Sequence, residues 1–327
     1  MTFRHRLIST SLIALLFSAL AACVSKPKPA QTPAAADSAA QKPAEAATEP
    51  APSPQSAAKE EAVGGWEGKI FKVCADPNNP PYSDKQGKGF ENKIAELFAK
   101  ELGKKVEYFW FPQRMGFIRN TLKAQLADSG EFRCDVIIGY PTGADQAATT
   151  KPYYRSAYTL VYVKKRGFDD IKSQQDLVNL PAERRTELKL AMFDSSPASA
   201  WLLKHGLVDH AIPYQTMTGD AAVNTAQTLE KDMKEGKLDM AIVWGPIAGW
   251  LQYHNQIGAV ELIPMQAEDA DQEAKFAFPI SMAVRMPDKS RKTILDNLIA
   301  GKSKEIRKIL LEYKVPLVDG KGDPLPR

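Results

Sequence analysis

Carboxylate, amide and phenol groups are gathered in one short phrase of the sequence, Asp76-Pro77-Asn78-Asn79-Pro80-Pro81-Tyr82-Ser83. Asp76, Asn78, Asn79 and Tyr82 supply donors and acceptors suited to a polar ligand. Pro77, Pro80 and Pro81 fix φ and remove backbone donors, so the loop must hold one shape. Further candidates occupy comparable places. Gln113 and Arg114 follow a strand and suit an anion or a partner, and Tyr140 ends another strand. Trp244 adds an aromatic face beside Gly245-Pro246. Asp194, Ser195 and Ser196 follow a strand and either face a cleft or cap the next helix. Trp110 belongs to the alternating Tyr108-Phe109-Trp110, which reads as core or as a ring-stacking face. Arg155 reads as a cap or brace. No Ser, His and Asp phrase, phosphate-cradling loop or paired catalytic carboxylates stands out, and His205, His210 and His254 lack metal-ligand spacing. The expected chemistry is binding, with no catalytic or metal site and no cofactor.

The elements that position these residues alternate. Strand 70–75 runs into the proline loop, and Phe90, Ile94, Leu97, Phe98 and Leu102 recur at helical spacing up to a stop at Gly103. Strand 106–111 follows, then a helix containing Phe117, Ile118, Leu122 and Leu126, then strand 136–139. Two successive βαβ units imply a parallel sheet, and ligands bind at the carboxyl ends of such strands. A second series repeats the plan with strand 188–193, a helix from about Ala198 to Lys204, a helix 221–234 with Val223, Ala226, Leu229 and Met233 inward, and strand 240–243. Gly130…Cys134-Asp135-Val136-Ile137-Ile138-Gly139 is echoed by Gly236…Leu238-Asp239-Met240-Ala241-Ile242-Val243-Trp244-Gly245.

Two strand-like segments, 158–164 and 277–284, separate the series, and helices 290–300 and 303–313 close the chain. A chain that crosses out and returns makes two lobes joined by two strands, the hinge layout of type II periplasmic binding proteins. The expected fold is therefore α/β and two-lobed. Lobe 1 comprises 66–157 plus 285–327, lobe 2 comprises 165–276, and 158–164 with 277–284 form the hinge.

Arg4, His5 and Arg6 precede an apolar run from Leu7 to Leu20, short for a span and right for a signal peptide over 1–22. Leu20-Ala21-Ala22-Cys23 resembles a bacterial lipobox, which predicts a diacylated Cys23 and anchoring, with Val24 favouring the outer membrane; simple cleavage after Ala21 or Ala22 is the alternative. Residues 23–65 are Ala- and Pro-rich and predict a disordered tether, reaching on the order of 100 Å when extended. The remaining ~260 residues suffice for two small lobes.

Lys and Arg total 43 against 39 Asp and Glu, and loss of 1–22 removes only Arg4 and Arg6, which leaves a formal charge near +2. That balance argues against a nucleic-acid partner. An oxidising compartment permits a disulfide between Cys74 and Cys134. In level parallel strands, however, Cys74 lies beside about Ile137, which sets Cys134 about 10 Å away and argues against one.

Several phrases in order resemble the MxaJ/XoxJ-type family found with quinoprotein methanol dehydrogenases: Val73 to Asn79, Gly89 to Ala95, Phe111-Pro112-Gln113-Arg114-Met115-Gly116 through Leu122, Lys151-Pro152-Tyr153-Tyr154-Arg155-Ser156, and Val243-Trp244-Gly245-Pro246 through Gly249. The resemblance spans about Trp66 to Pro316. It implies a non-enzymatic periplasmic factor for a dehydrogenase that uses pyrroloquinoline quinone (PQQ), one that assists its maturation or activation; the sequence leaves open whether the cleft holds a small molecule, a peptide of the partner, or nothing.

Two alternatives share the fold. Amino-acid carriers for ABC transporters pair the ligand carboxylate with an arginine after the third strand and hold its ammonium with an aspartate after the second lobe's late strand. Here those places read Tyr140-Pro141-Thr142-Gly143-Ala144-Asp145-Gln146 and Trp244-Gly245-Pro246, so a zwitterion lacks both charges. A small cyclic-acid dehydratase, with a cleft acid such as Asp76 or Glu91, is the enzymatic alternative.

Overall fold

The computed structural model describes residues 66–215, 220, 222–268 and 275–326. The predicted signal, Cys23 and tether lie outside them. Strand β1 (Ile70–Ala75) carries buried Phe71, Val73 and Cys74, and helix α1 (Phe90–Glu101) covers it with Phe90, Ile94, Ala95 and Phe98. Strand β2 (Lys105–Trp110) pairs with β1 in parallel, from Ile70 beside Lys105 to Ala75 beside Trp110.

The predicted helix beyond Phe117 is only a short turn, α2 (Phe117–Asn120). Phe117, Ile118 and Leu122 are buried, yet Leu126 is exposed because the chain leaves helical geometry at Thr121 and Gln125 bridges to Phe132. Strand β3 (Ile137–Pro141) is joined to β1 through a parallel bridge between Val73 and Val136.

Cys74 and Cys134 form a disulfide, with Cα atoms 5.3 Å apart, which overturns the expectation of 10 Å. The strand register was read correctly, but the chain does not run straight into it. The amides of Asp135 and Val136 both donate to the Lys72 carbonyl, at 2.8 and 3.3 Å, so the backbone bends and returns Cys134 over Cys74. Arg285 holds that bend: Nη1 donates to the Cys134 carbonyl at 2.6 Å and Nη2 to the Asp135 carboxylate at 2.8 Å. Its guanidinium also lies 4.0 Å from the Phe132 ring centroid.

The long strand β4 (Tyr154–Val163) leaves this assembly for the second one. There β5 (Leu190–Phe193), helix α3 (Pro197–Lys204), β6 (Ala211–Tyr214), helix α4 (Thr225–Lys234), β7 (Met240–Trp244), helix α5 (Gly245–His254) and β8 (Val260–Pro264) follow in turn. Helix α4 starts four residues later than expected. Asn224 caps it by accepting the Gln227 amide at 2.9 Å, which leaves Val223 outside and exposed. Strands β6 and β8 were not anticipated.

Strand β9 (Ala277–Val284) returns the chain, and helices α6 (Lys289–Gly301) and α7 (Ser303–Glu312) end it. The main sheet runs β3-β9-β4-β7-β5-β6, with β8 also on β4. Strand β4 serves both halves: Tyr154 to Ala157 pair with β9, and Tyr158 to Val163 pair with β7 and β8. One core unites Phe71, Phe90, Ile94 and Phe98 with Ile294, Leu295, Ile306 and Leu310 from the returning segment. Two further cores sandwich the second lobe's part of the sheet, around Leu160, Trp201 and Met240, and around Val161, Leu229 and Trp250.

Candidate functional site

The proline loop at the end of β1 is built before it meets a ligand. Asp76 is 8% exposed, and its carboxylate accepts the amides of Asn78 and, from the loop after β2, Gln113. Asn79 Nδ2 donates to Gln113 Oε1 at 3.0 Å, a second tie between the loops. The first amides of α1, on Phe90 and Glu91, donate to the carbonyls of Pro81 and Tyr82 at 2.9 Å, so the loop itself satisfies groups that a helix start leaves open. This close approach requires Gly89, where a Cβ would lie 1.9 Å from the Tyr82 carbonyl oxygen. Asn92 Oδ1 accepts the Asp84 and Gly89 amides, both at 3.1 Å, and completes the frame.

Between this loop and the second lobe lies a cavity of about 680 Å³. Eight of the predicted residues line it: Asp76, Asn78, Asn79, Tyr82, Gln113, Arg114, Tyr140 and Trp244. Trp244 stands at the start of α5 with its ring 5.6 Å from Tyr158 and 6.0 Å from Phe278. Asn78 reaches across the mouth, its Nδ2 donating to the Ala222 carbonyl at 3.1 Å.

Five predicted residues stand outside the cavity wall. The Trp110 ring stacks on Tyr108 at 4.6 Å and packs against the first lobe's core. Arg155 lies on β4, where its carbonyl accepts the Val318 amide at 3.1 Å. Asp194 donates its amide to the Tyr214 carbonyl, Ser195 has φ of 54°, and Ser196 turns its hydroxyl back to the Phe193 carbonyl at 2.7 Å, so this trio shapes the entry to α3. In place of the trio, Phe193, Tyr214, Asn224 and Thr228 supply the second lobe's wall.

Glu91 also lines the cavity and was absent from the predicted site residues. Its position in the first turn of α1 favours the ionised form through the helix dipole. Burial and, second, the negative charge of Asp76 outweigh this and push the carboxyl up to about 8. The carboxylate rests on Gly139: a Cβ there would lie 2.0 Å from Glu91 Oε1. Burial likewise holds Tyr82, Tyr153 and Tyr154 well above the ordinary phenol range, so all three stay protonated.

The two carrier positions are occupied otherwise. Thr142 is tied to the hinge, its Oγ1 2.7 Å from Ser281 Oγ, and Gly143 gives its amide to Thr149. At the other position the tight approach of α5 to the hinge uses Gly245, where a Cβ would meet Ser156 Oγ at 2.3 Å. Among the described residues no group of three or more His, Cys, Asp and Glu is placed to hold a metal ion, and no helix is long and apolar enough to cross a membrane.

No protein-family profile matches the chain. The crystal structure of the periplasmic binding protein XoxJ from Methylobacterium extorquens AM1 is 32% identical, with a TM-score of 0.58, and the match covers 76% of this chain and 99% of that one. The chain belongs to the MxaJ/XoxJ-type family. Protein MoxJ of Methylorubrum extorquens is 27% identical over 259 residues, 76% of this chain and 81% of that protein. Protein MoxJ of Paracoccus denitrificans is 30% identical over 187 residues, 54% of this chain and 63% of the relative's length. The two-lobed, type II binding-protein fold read from the hinge strands is thus the fold of the family, and its cleft is where such proteins hold ligands.

Proposed function

We propose that the chain is a non-enzymatic periplasmic accessory protein of a PQQ-dependent methanol dehydrogenase system, acting in maturation or activation through what its cleft holds. Membership of the MxaJ/XoxJ-type family carries this reading. The cleft supports it: neither the arginine nor the aspartate that would grip an amino-acid zwitterion stands at its expected place, so a transport role loses its chemistry. Calorimetry with the common amino acids is expected to give no binding tighter than about millimolar, equivalent to ~4 kcal/mol. Trp244→Ala and Asn79→Ala are expected to lower methanol dehydrogenase activity in cells while the purified protein stays folded. Micromolar affinity for one amino acid with normal dehydrogenase activity in both variants would mark a transporter component instead.

The same proposal places the protein on a membrane through lipid on Cys23, with the outer membrane favoured. Cys23→Ser should then move it to the soluble periplasmic fraction; unchanged membrane fractionation would remove the anchor from the proposal. One observation favours the dehydratase alternative. Glu91, raised to about 8, is a carboxylic acid still protonated at neutral pH, as a general acid requires. Turnover of cyclic carboxylic acids that disappears in Glu91→Gln would establish it.

A further inference from the structure

Glu91 is the unpartnered acid of the cleft. Its carboxylate makes no hydrogen bond or ion pair among the described residues. Asp76, the neighbouring acid, already spends its oxygens on the Asn78 and Gln113 amides. Arg114 is the cation in the wall, but it is exposed, and it is not among the groups that shift Glu91. Gly139 leaves just the room that the carboxylate fills. Rings of Tyr82, Tyr154 and Trp244 share the cavity with it, and aromatic faces attract cations. An anion entering this space is repelled by Asp76 and, wherever Glu91 ionises, by Glu91 as well.

We infer that the cleft takes an organic cation, its ammonium group seated on the Glu91 carboxylate and flanked by aromatic rings. This rests on the reading of the cleft as a binding site and narrows it to a ligand class. The ligand supplies the counter-charge that the protein leaves out, and a cavity of about 680 Å³ admits it with room for a longer substituent.

Proton linkage gives the inference a signature of its own. Asp76 and Tyr82 from the loop after β1, Tyr108 from β2, Tyr153 just before β4 and Tyr154 at its start all act on Glu91 or feel it. None is a cation, so the empty site keeps its proton up to about pH 8. A permanently charged ligand must expel that proton on entry. Affinity therefore climbs about tenfold per pH unit below the titration and levels off above it.

The test uses calorimetry on the full chain with choline and its uncharged analogue 3,3-dimethylbutan-1-ol, at pH 6 to 9 and in buffers of different ionisation enthalpy. Choline is expected to bind at least tenfold more tightly than the alcohol, to release about one proton per site at pH 7, and to strengthen up to pH 8. Glu91→Gln should erase the preference and the pH dependence while the alcohol binds as before. Gly139→Ala, whose Cβ displaces the carboxylate, should weaken choline in the same way with Glu91 still present. Equal binding of choline and alcohol, no binding of choline, or a preference that survives in Glu91→Gln overturns the inference. None of those results touches the dehydrogenase reading, which fails separately if Trp244→Ala and Asn79→Ala leave that activity normal.

Discussion

At the scale of single residues, the polar phrase after β1 was legible because proline and asparagine chemistry is local: Asp76 caps its own loop whatever the rest of the chain does. The direction of a side chain on a strand or helix start is not local. Trp110 could point to either face, and the stack with Tyr108 shows it committed to packing. Glu91 is named from the sequence only as a cleft acid for the dehydratase alternative, and its enclosure depends on the approach of Gly139 from a distant strand. That enclosure has a pH consequence. In the unfolded chain Glu91 titrates near 4.5, and in the fold at about 8. A raised pKa stabilises the fold below the lower value, and this contribution is lost as pH rises towards the upper one. The chain should therefore lose stability between pH 4.5 and 8, by an amount on the order of 2 kcal/mol, with water in the cleft keeping it below the full shift. Glu91→Gln should remove this slope and unfold later than the parent at pH 8, while matching it near pH 4.5. Parallel denaturation curves across that range would show that Glu91 is solvated after all.

At the scale of elements, long periodic segments were read well. Helix α1 and strand β9 lie close to their expected bounds, because continuous apolar periodicity leaves one solution, whereas β4 starts four residues before the expected 158–164, at Tyr154, where it pairs with β9. The short α2 was over-extended, since Leu122 and Leu126 keep helical spacing although the chain has already turned at Thr121. The start of α4 did carry a signal, Asn224 followed three residues later by Gln227, whose side chain shares the cap at 2.6 Å. The disulfide was missed because an argument from level strands cannot see a bend pinned by Arg285, 150 residues away. Its loop spans 60 residues, so reduction should lower stability by about 2–4 kcal/mol. Cys74→Ser combined with Cys134→Ser should reproduce that loss without reductant. Identical denaturation midpoints with and without reductant would contradict a stabilising bond.

At the scale of the whole molecule, the first lobe's core begins at Trp66, which is 5% exposed, with its ring 4.9 Å from Phe71 and Arg291 packed over it. A chain starting at Trp66 should unfold at the same midpoint as the mature protein, whereas one starting at Gly68 should lose roughly 3–5 kcal/mol, the cost of emptying a tryptophan site. A clear loss already in the first of these would mean that residues 23–65 contribute to stability. The interleaving of the first lobe has a consequence for the order in which the molecule can be made. Its N-terminal strands and α1 must wait for Ile294, Leu295, Ile306 and Leu310, which arrive last from the C-terminal helices. The second lobe's cores draw on one nearly continuous stretch and can close earlier. Any chain interrupted just before α7 therefore displays a finished second lobe beside an open half-core, although every residue that lines the cleft, up to Ile280, has already been made.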